Sequence, residues 1–143
     1  MKENQKTKKD IIDTYRRTDV MTANRETILL MLYAGAIRFL KRAIEATEQN
    51  DMNTKGKSIT RVLQIVNELQ ATLDPKQSEQ IAQSLESLYG FIQARLLDSN
   101  TDRSTKPLKE ALDILETLNS AWEEAVEGLK TASNIIDKKS QGG

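Results

Sequence analysis

Glu123, Glu124 and Glu127 sit beside Trp122 and form a tight carboxylate group. Two such groups with separated pKa values could act as general acid and base. Placed on a helix, however, these three fall on an outer, solvated face rather than in a desolvated cleft. Gly56-Lys57-Ser58 has the ending of a phosphate-cradling loop, but the upstream glycine is missing and the triplet lies in a helical pattern, not after a strand. The chain contains no His and no Cys. That removes zinc sites, His or Cys nucleophilic dyads, phosphorelay histidines and the Glu-x-x-His pairs of di-iron bundles. No metal, no cofactor and no catalytic residue is expected. Arg38, Arg42 and Arg61 could serve an all-α enzyme that works through Arg, Lys and Glu alone, but only if they pointed inward around a pocket. Their spacing puts them outside the core stripes.

The elements that would position any site are helical. Across 143 residues, 21 basic and 21 acidic residues cancel, so no overall charge calls for nucleic acid or a membrane. The length fits one domain with a real core. Leu, Ile, Ala, Glu, Lys and Gln dominate, with only two Pro. No apolar run is long enough to span a bilayer, and no secretory signal follows the N-terminal lysines. The absence of cysteine fits the cytoplasm.

Residues 1–21 are polar and net basic, with isolated apolar residues such as Tyr15 and Val20. They read as a flexible N-terminal arm with a few anchors. Asn24 is a suitable cap for a first helix reaching about Gln49, and Asn50-Asp51 connects it to a second. In the second, Ile59, Val62, Leu63, Val66, Leu69 and Leu73 recur at three- and four-residue steps. Asp74-Pro75 punctuates the chain before a third helix, whose stripe is Ile81, Leu85, Leu88, Tyr89, Ile92 and Leu96. The polar stretch 98–102 ends that helix, and Ser104 or Thr105 can cap a fourth with Pro107 in its first turn. Its stripe is Leu108, Leu112, Leu115, Leu118, Trp122, Val126 and Leu129. The expected fold is all-α: an antiparallel up-down-up-down four-helix bundle over residues 22–137, with a frayed tail at 138–143.

Residues 28–40 are too apolar for a helix that uses one face. Ile28, Leu29, Leu32, Tyr33, Ala36, Phe39 and Leu40 fill an arc of about 140°, and Leu30, Met31 and Ile37 fall outside it. Ile65 lies at the edge of the second stripe, and Phe91 and Leu97 flank the third. Together they point to exposed apolar grooves. Gly35 and Gly90 each cost a helix about 1 kcal/mol against Ala, which a closely approaching helix or a partner could offset.

Several of these residues occur in a known order. Tyr15, Val20 with Thr22-Ala23, then Leu30-Met31-Leu32-Tyr33, Gly35 and Phe39 form its first part. Ile65-Val66-Asn67-Glu68-Leu69, Thr72-Leu73, Leu88-Tyr89, Arg95-Leu96, Asn100 and Ala121-Trp122 continue it. Over roughly residues 15–126 the chain resembles the flagellar secretion chaperone FliS family. It departs from that pattern at Asn24-Arg25 and Thr27, where Ser-Pro and Glu are usual, at Arg61-Val62, where Lys-Ala is common, and at Gly90, usually polar. The resemblance implies a cytoplasmic export chaperone that binds the disordered C-terminal segment of flagellin. It would block premature polymerisation and aid delivery to FlhA, a component of the type III export gate. It also implies that the arm folds back over part of the client site, with Tyr15 and Val20 as anchors. Leu30, Met31, Tyr33, Ile37, Ile65, Phe91 and Leu97 are then the expected client-binding residues. Tyr33, Tyr89 and Trp122 also suit a core position, and Leu30 and Ile37 suit core and groove alike. No nucleic acid and no membrane insertion are expected, and the chain is expected to be a monomer with scope for a weak dimer. The alternative is a dimeric helical adaptor that buries the surplus face of the first helix against itself.

Overall fold

In a computed structural model, the protein's backbone is described over residues 21–73 and 79–141, and its side chains over 25–73 and 79–128. Tyr15, Val20 and the Asp74-Pro75 turn therefore lie outside the described residues. Four helices follow one another: α1 (Met21–Glu48), α2 (Met52–Ala71), α3 (Glu79–Asp98) and α4 (Lys106–Gln141). Each helix packs on its neighbours in the order α1–α2–α3–α4 and back to α1. The diagonal pairs do not approach at backbone level among the described residues. This is the up-down-up-down bundle expected from the stripes.

Local chemistry explains the boundaries. Asn50 takes φ 59°, a left-handed conformation that Asn tolerates better than most residues. It closes α1 in a Schellman turn, with Asp51 N–H on the Ala46 carbonyl at 2.8 Å and Asn50 N–H on that of Thr47 at 3.2 Å. Asp51 then caps α2 by accepting from Thr54 N–H at 3.2 Å. Thr105 opens α4, its carbonyl accepting from Lys109 N–H at 2.9 Å. Pro107 follows in the first turn, where its missing N–H is not needed. Two boundaries differ from expectation. Asn24 is not the cap of α1, because the helix already begins at Met21; Met21-Thr22-Ala23 contains no Gly or Pro to stop it. Likewise α4 runs to Gln141, through most of the segment expected to fray.

The core is the four stripes turned inward. Leu40, Val62, Val66, Leu69, Ile92, Leu96, Leu108 and Leu115 are fully buried. Along α1 the inward positions are mostly small, with Ala36, Ala43 and Ala46 buried beside Leu40. Ile81 departs from its stripe and is 52% exposed. Gln93 bonds Asn67 and Gln70 across the antiparallel α2/α3 pair. Ile81 lies three turns before Gln93 and is therefore level with positions past the end of α2, which does not reach it.

One charge is buried among the described residues. Lys55, 5% exposed, donates from Nζ to the Ser99 carbonyl at 2.7 Å and the Asp102 carbonyl at 3.3 Å. Those carbonyls belong to the turn after α3, where orphan acceptors and the negative end of the helix dipole favour a cation. Lys55→Met keeps the packing of the stem and removes the ammonium. It is expected to cost about 1.5–3 kcal/mol, the range for hydrogen bonds to a charged group. Urea unfolding checks this, and a loss below about 0.5 kcal/mol would mean that water replaces the ammonium at no cost.

Candidate functional site

The expected groove residues do not converge on one cavity; they are distributed over the flanks of the bundle. The α1/α2 flank is fixed by Gly35, where an added Cβ would meet Ile65 Cδ1 at 3.4 Å. Met31 stands one turn before Gly35 on the same flank and is 68% exposed. The α1/α4 flank is fixed by Lys41, whose Nζ lies 3.9 Å from Glu116. Ile37 is one turn before Lys41, and Leu30 two turns before Ile37. Both are half-buried, and Ile37 packs on the core.

On α3 the two exposed residues expected in the groove face different neighbours. Arg95 reaches Glu110 of α4 at 3.7 Å, so Phe91, one turn earlier and stacked on the Arg95 guanidinium at 5.3 Å, flanks α4. Leu97 lies one turn after Gln93, which bonds α2, and so flanks α2. Phe91 is 43% and Leu97 57% exposed. Gly90 meets nothing within 4 Å of an added Cβ, so of these two glycines Gly35 alone has a neighbouring helix in close approach. Arg38, Arg42 and Arg61, which an Arg-based active site would need inside, are all exposed.

Tyr33 is a correction. It is fully buried, so nothing docked on the surface can touch it. Its hydroxyl meets that of Tyr89 across the bundle diagonal, and it accepts from Trp122 Nε1–H at 3.2 Å. Tyr33 lies at the edge of the apolar arc, next to the surplus residues Leu30 and Ile37. Only the partners brought by α3 and α4 make its burial affordable, by satisfying the hydroxyl. Burial is the main cause that raises the pKa of both tyrosines above the ordinary 10.0. The folded state thus holds these protons more tightly than the unfolded chain. The stability they contribute is complete below pH 10 and is lost as the pH rises beyond it toward the folded pKa values. Tyr33→Phe/Tyr89→Phe should flatten this alkaline fall. Unfolding free energies measured at rising pH check it, and an unchanged slope would place the alkaline sensitivity elsewhere.

Two surface features escaped the stripe reading. Phe39 is flanked by Arg38 and Arg42, with guanidinium carbons 5.3 and 5.6 Å from its ring centroid. The Arg-Phe-x-x-Arg spacing was the available signal, since i−1 and i+3 neighbours can cover a helical ring. Met52 is also exposed, at 44%.

The family model described as "Flagellar protein FliS" matches residues 8–129. The chain belongs to the FliS family. Among its curated relatives, the Bacillus subtilis flagellar secretion chaperone FliS is 28% identical over 90% of this chain and 92% of that protein. The Salmonella typhimurium FliS is 32% identical over 73% of this chain and 78% of its own length. A crystal structure described as a flagellar chaperone from bacteria superposes with a TM-score of 0.71 at 20% identity, covering 85% of this chain and 98% of that one. At that identity the superposition speaks for the fold. The FliS match takes in every exposed apolar residue named above and ends before the last turns of α4. A flagellar secretion chaperone is not an enzyme class. No helix among the described residues is long and apolar enough to cross a membrane.

Proposed function

We infer that the protein is a cytoplasmic export chaperone for flagellin. It holds the disordered C-terminal segment of its client along the flanks of the bundle, keeps that segment from polymerising, and aids its delivery to FlhA at the type III export gate. The observation that supports this most is the spread of exposed apolar side chains. Met31, Phe91 and Leu97 sit on three different flanks, which suits a client that wraps the bundle and not one that fills a pocket. A disordered segment that folds on binding can cover such a surface. Ordering it costs about 2–5 kcal/mol of the gross interaction energy, so several contact patches are needed. Helix-in-groove docking needs neither catalysis nor a cofactor. Client contacts on this reading come from Met31, Ile65, Phe91 and Leu97, with Leu30 and Ile37 contributing their exposed edges.

Co-purification with full-length flagellin, and with flagellin lacking its C-terminal segment, tests the proposal. Retention of the first and loss of the second is expected. A stable dimer that ignores both would overturn it. We further propose that residues 1–21, anchored by Tyr15 and Val20, compete with the client for part of this surface. Deleting them should then raise affinity for the flagellin segment by about tenfold or less, the scale of a modest autoinhibitory equilibrium. Titration calorimetry on the truncated chain reads this directly, and unchanged affinity would remove the cap from the mechanism.

A further inference from the structure

The α1/α2 flank differs from the other three in charge. Counting in helical steps from Gly35, the stripe on α1 continues through Arg38, Phe39 and Arg42, and counting back from Ile65 on α2 it continues through Arg61 and Lys57. Because α1 and α2 run antiparallel, these two halves lie side by side. Met31 and Ile65 form an apolar end, and the cations form the other. Arg38, Arg42, Arg61 and Lys57 are exposed, and none takes part in an ion pair among the described residues. By contrast, Lys41 and Arg95, which face α4, are paired with carboxylates there. The carboxylates nearest the stripe are Asp51, which caps α2 and interacts electrostatically with Lys57, and Glu45 and Glu68. Glu45 accepts a hydrogen bond from Gln49 at 3.4 Å, and Glu68 lies at the apolar end. Stacking on Phe39 holds Arg38 and Arg42 extended over a ring, which lowers the entropy lost when they bind an anion.

We propose that the α1/α2 flank is a charge-selective docking face for an acidic amphipathic helix. The helix would lay apolar residues on Met31, Ile65 and the edge of Phe39, and carboxylates on Arg38, Arg42 and Arg61. This deepens the docking reading above, with which it shares Met31 and Ile65, by assigning a ligand class to one flank. Charge complementarity selects the occupant. The apolar end calls for a partner with an apolar face, and the planar guanidiniums match carboxylates in paired geometry. A polyanion suits the protein less well. From Glu110 to Glu127, α4 carries Glu110, Asp113, Glu116, Glu123, Glu124 and Glu127 with no Lys or Arg between them, so a nucleic acid or an anionic bilayer would meet repulsion beyond this flank.

The test uses the full chain and two labelled synthetic helices of about 18 residues, roughly 27 Å long. They share one Leu face and carry either Glu or Lys on its borders. By fluorescence anisotropy the Glu peptide should bind about tenfold or more tightly than the Lys peptide at low salt, and weaken as salt rises. Arg38→Glu/Arg42→Glu should remove that preference with an unchanged circular dichroism spectrum, and Arg61→Glu, on the other helix, should act alike. Equal binding of both peptides, or a preference that survives both variants, overturns the proposal. Tighter arginine-dependent binding of single-stranded DNA or phosphatidylglycerol vesicles also overturns it. So does a concentration-dependent dimer that these variants dissolve while the Glu peptide stays unbound. The flagellin segment is measured in parallel. Its failure to bind while the Glu peptide binds would remove the flagellin reading and leave this face standing, and the reverse would do the opposite.

Discussion

Leu40→Ala is expected to lower folding stability by about 3–5 kcal/mol, the upper part of the range for a buried leucine. The reason lies in its neighbours on α1. Ala36 and Ala43, one turn either side of Leu40, are buried and small, and neither can swing into the space that the isobutyl group leaves. Leu40 faces a core to which α2 and α4 contribute as the neighbours of α1, and the Schellman turn and the Lys55 clamp fix the near end of both helices. A cavity that cannot collapse costs both the lost transfer energy and the lost contacts of its lining. Against a total stability of about 5–15 kcal/mol for a domain, this one change consumes a large fraction. Urea unfolding of the purified variant measures it. A loss under about 1.5 kcal/mol would mean that the helices close in on the gap, so that the packing around α1 is looser than the burial pattern states.

Met31→Glu and Ile37→Glu should separate docking from packing. Met31 is 68% exposed on the α1/α2 flank. A glutamate there stays hydrated in the free protein, so stability should change by no more than about 0.5 kcal/mol. When a client's apolar face covers it, that carboxylate is desolvated without a partner. Loss of about 2 kcal/mol in binding, roughly 30-fold in affinity, is the expected result for an interface anchor treated this way. Ile37 is half-buried against the core on the α1/α4 flank. Its replacement by glutamate buries part of an unpaired charge at once, so about 2–3 kcal/mol of stability should go before any client is added. Thermal melts and titration with the flagellin segment distinguish the two. If Met31→Glu binds normally, Met31 is not an anchor. If Ile37→Glu melts like the parent, the α1/α4 flank is more open than its burial indicates.

The division between these residues shows where sequence reading stops. The four stripes at three- and four-residue spacing were enough to place the helices and most of the core, because a helix that buries one face writes its period into the chain. Asn50-Asp51 announced its turn through the backbone preferences of those residue types, and the FliS pattern was legible in the joint spacing of Leu30 to Tyr33, Leu88-Tyr89 and Ala121-Trp122. Asn24 shows the limit of such local signals, since a capping side chain does not stop a helix that can extend past it.

Angular position on one helix could not say which off-stripe residue a neighbouring helix would cover. Tyr33 went into the core because Tyr89 and Trp122, 56 and 89 residues away in the chain, meet its hydroxyl. Lys55 was buried because the end of α3 presents it with carbonyls. Ile81 was left exposed because α2 ends before reaching it. The helices, their core faces and the family were determined by the order of residues. The location of each surplus apolar residue, and the gathering of free arginines on the α1/α2 flank, were decided only when four helices packed. Helix period is a local property of the chain, whereas burial and charge pairing depend on groups that only the tertiary fold brings together.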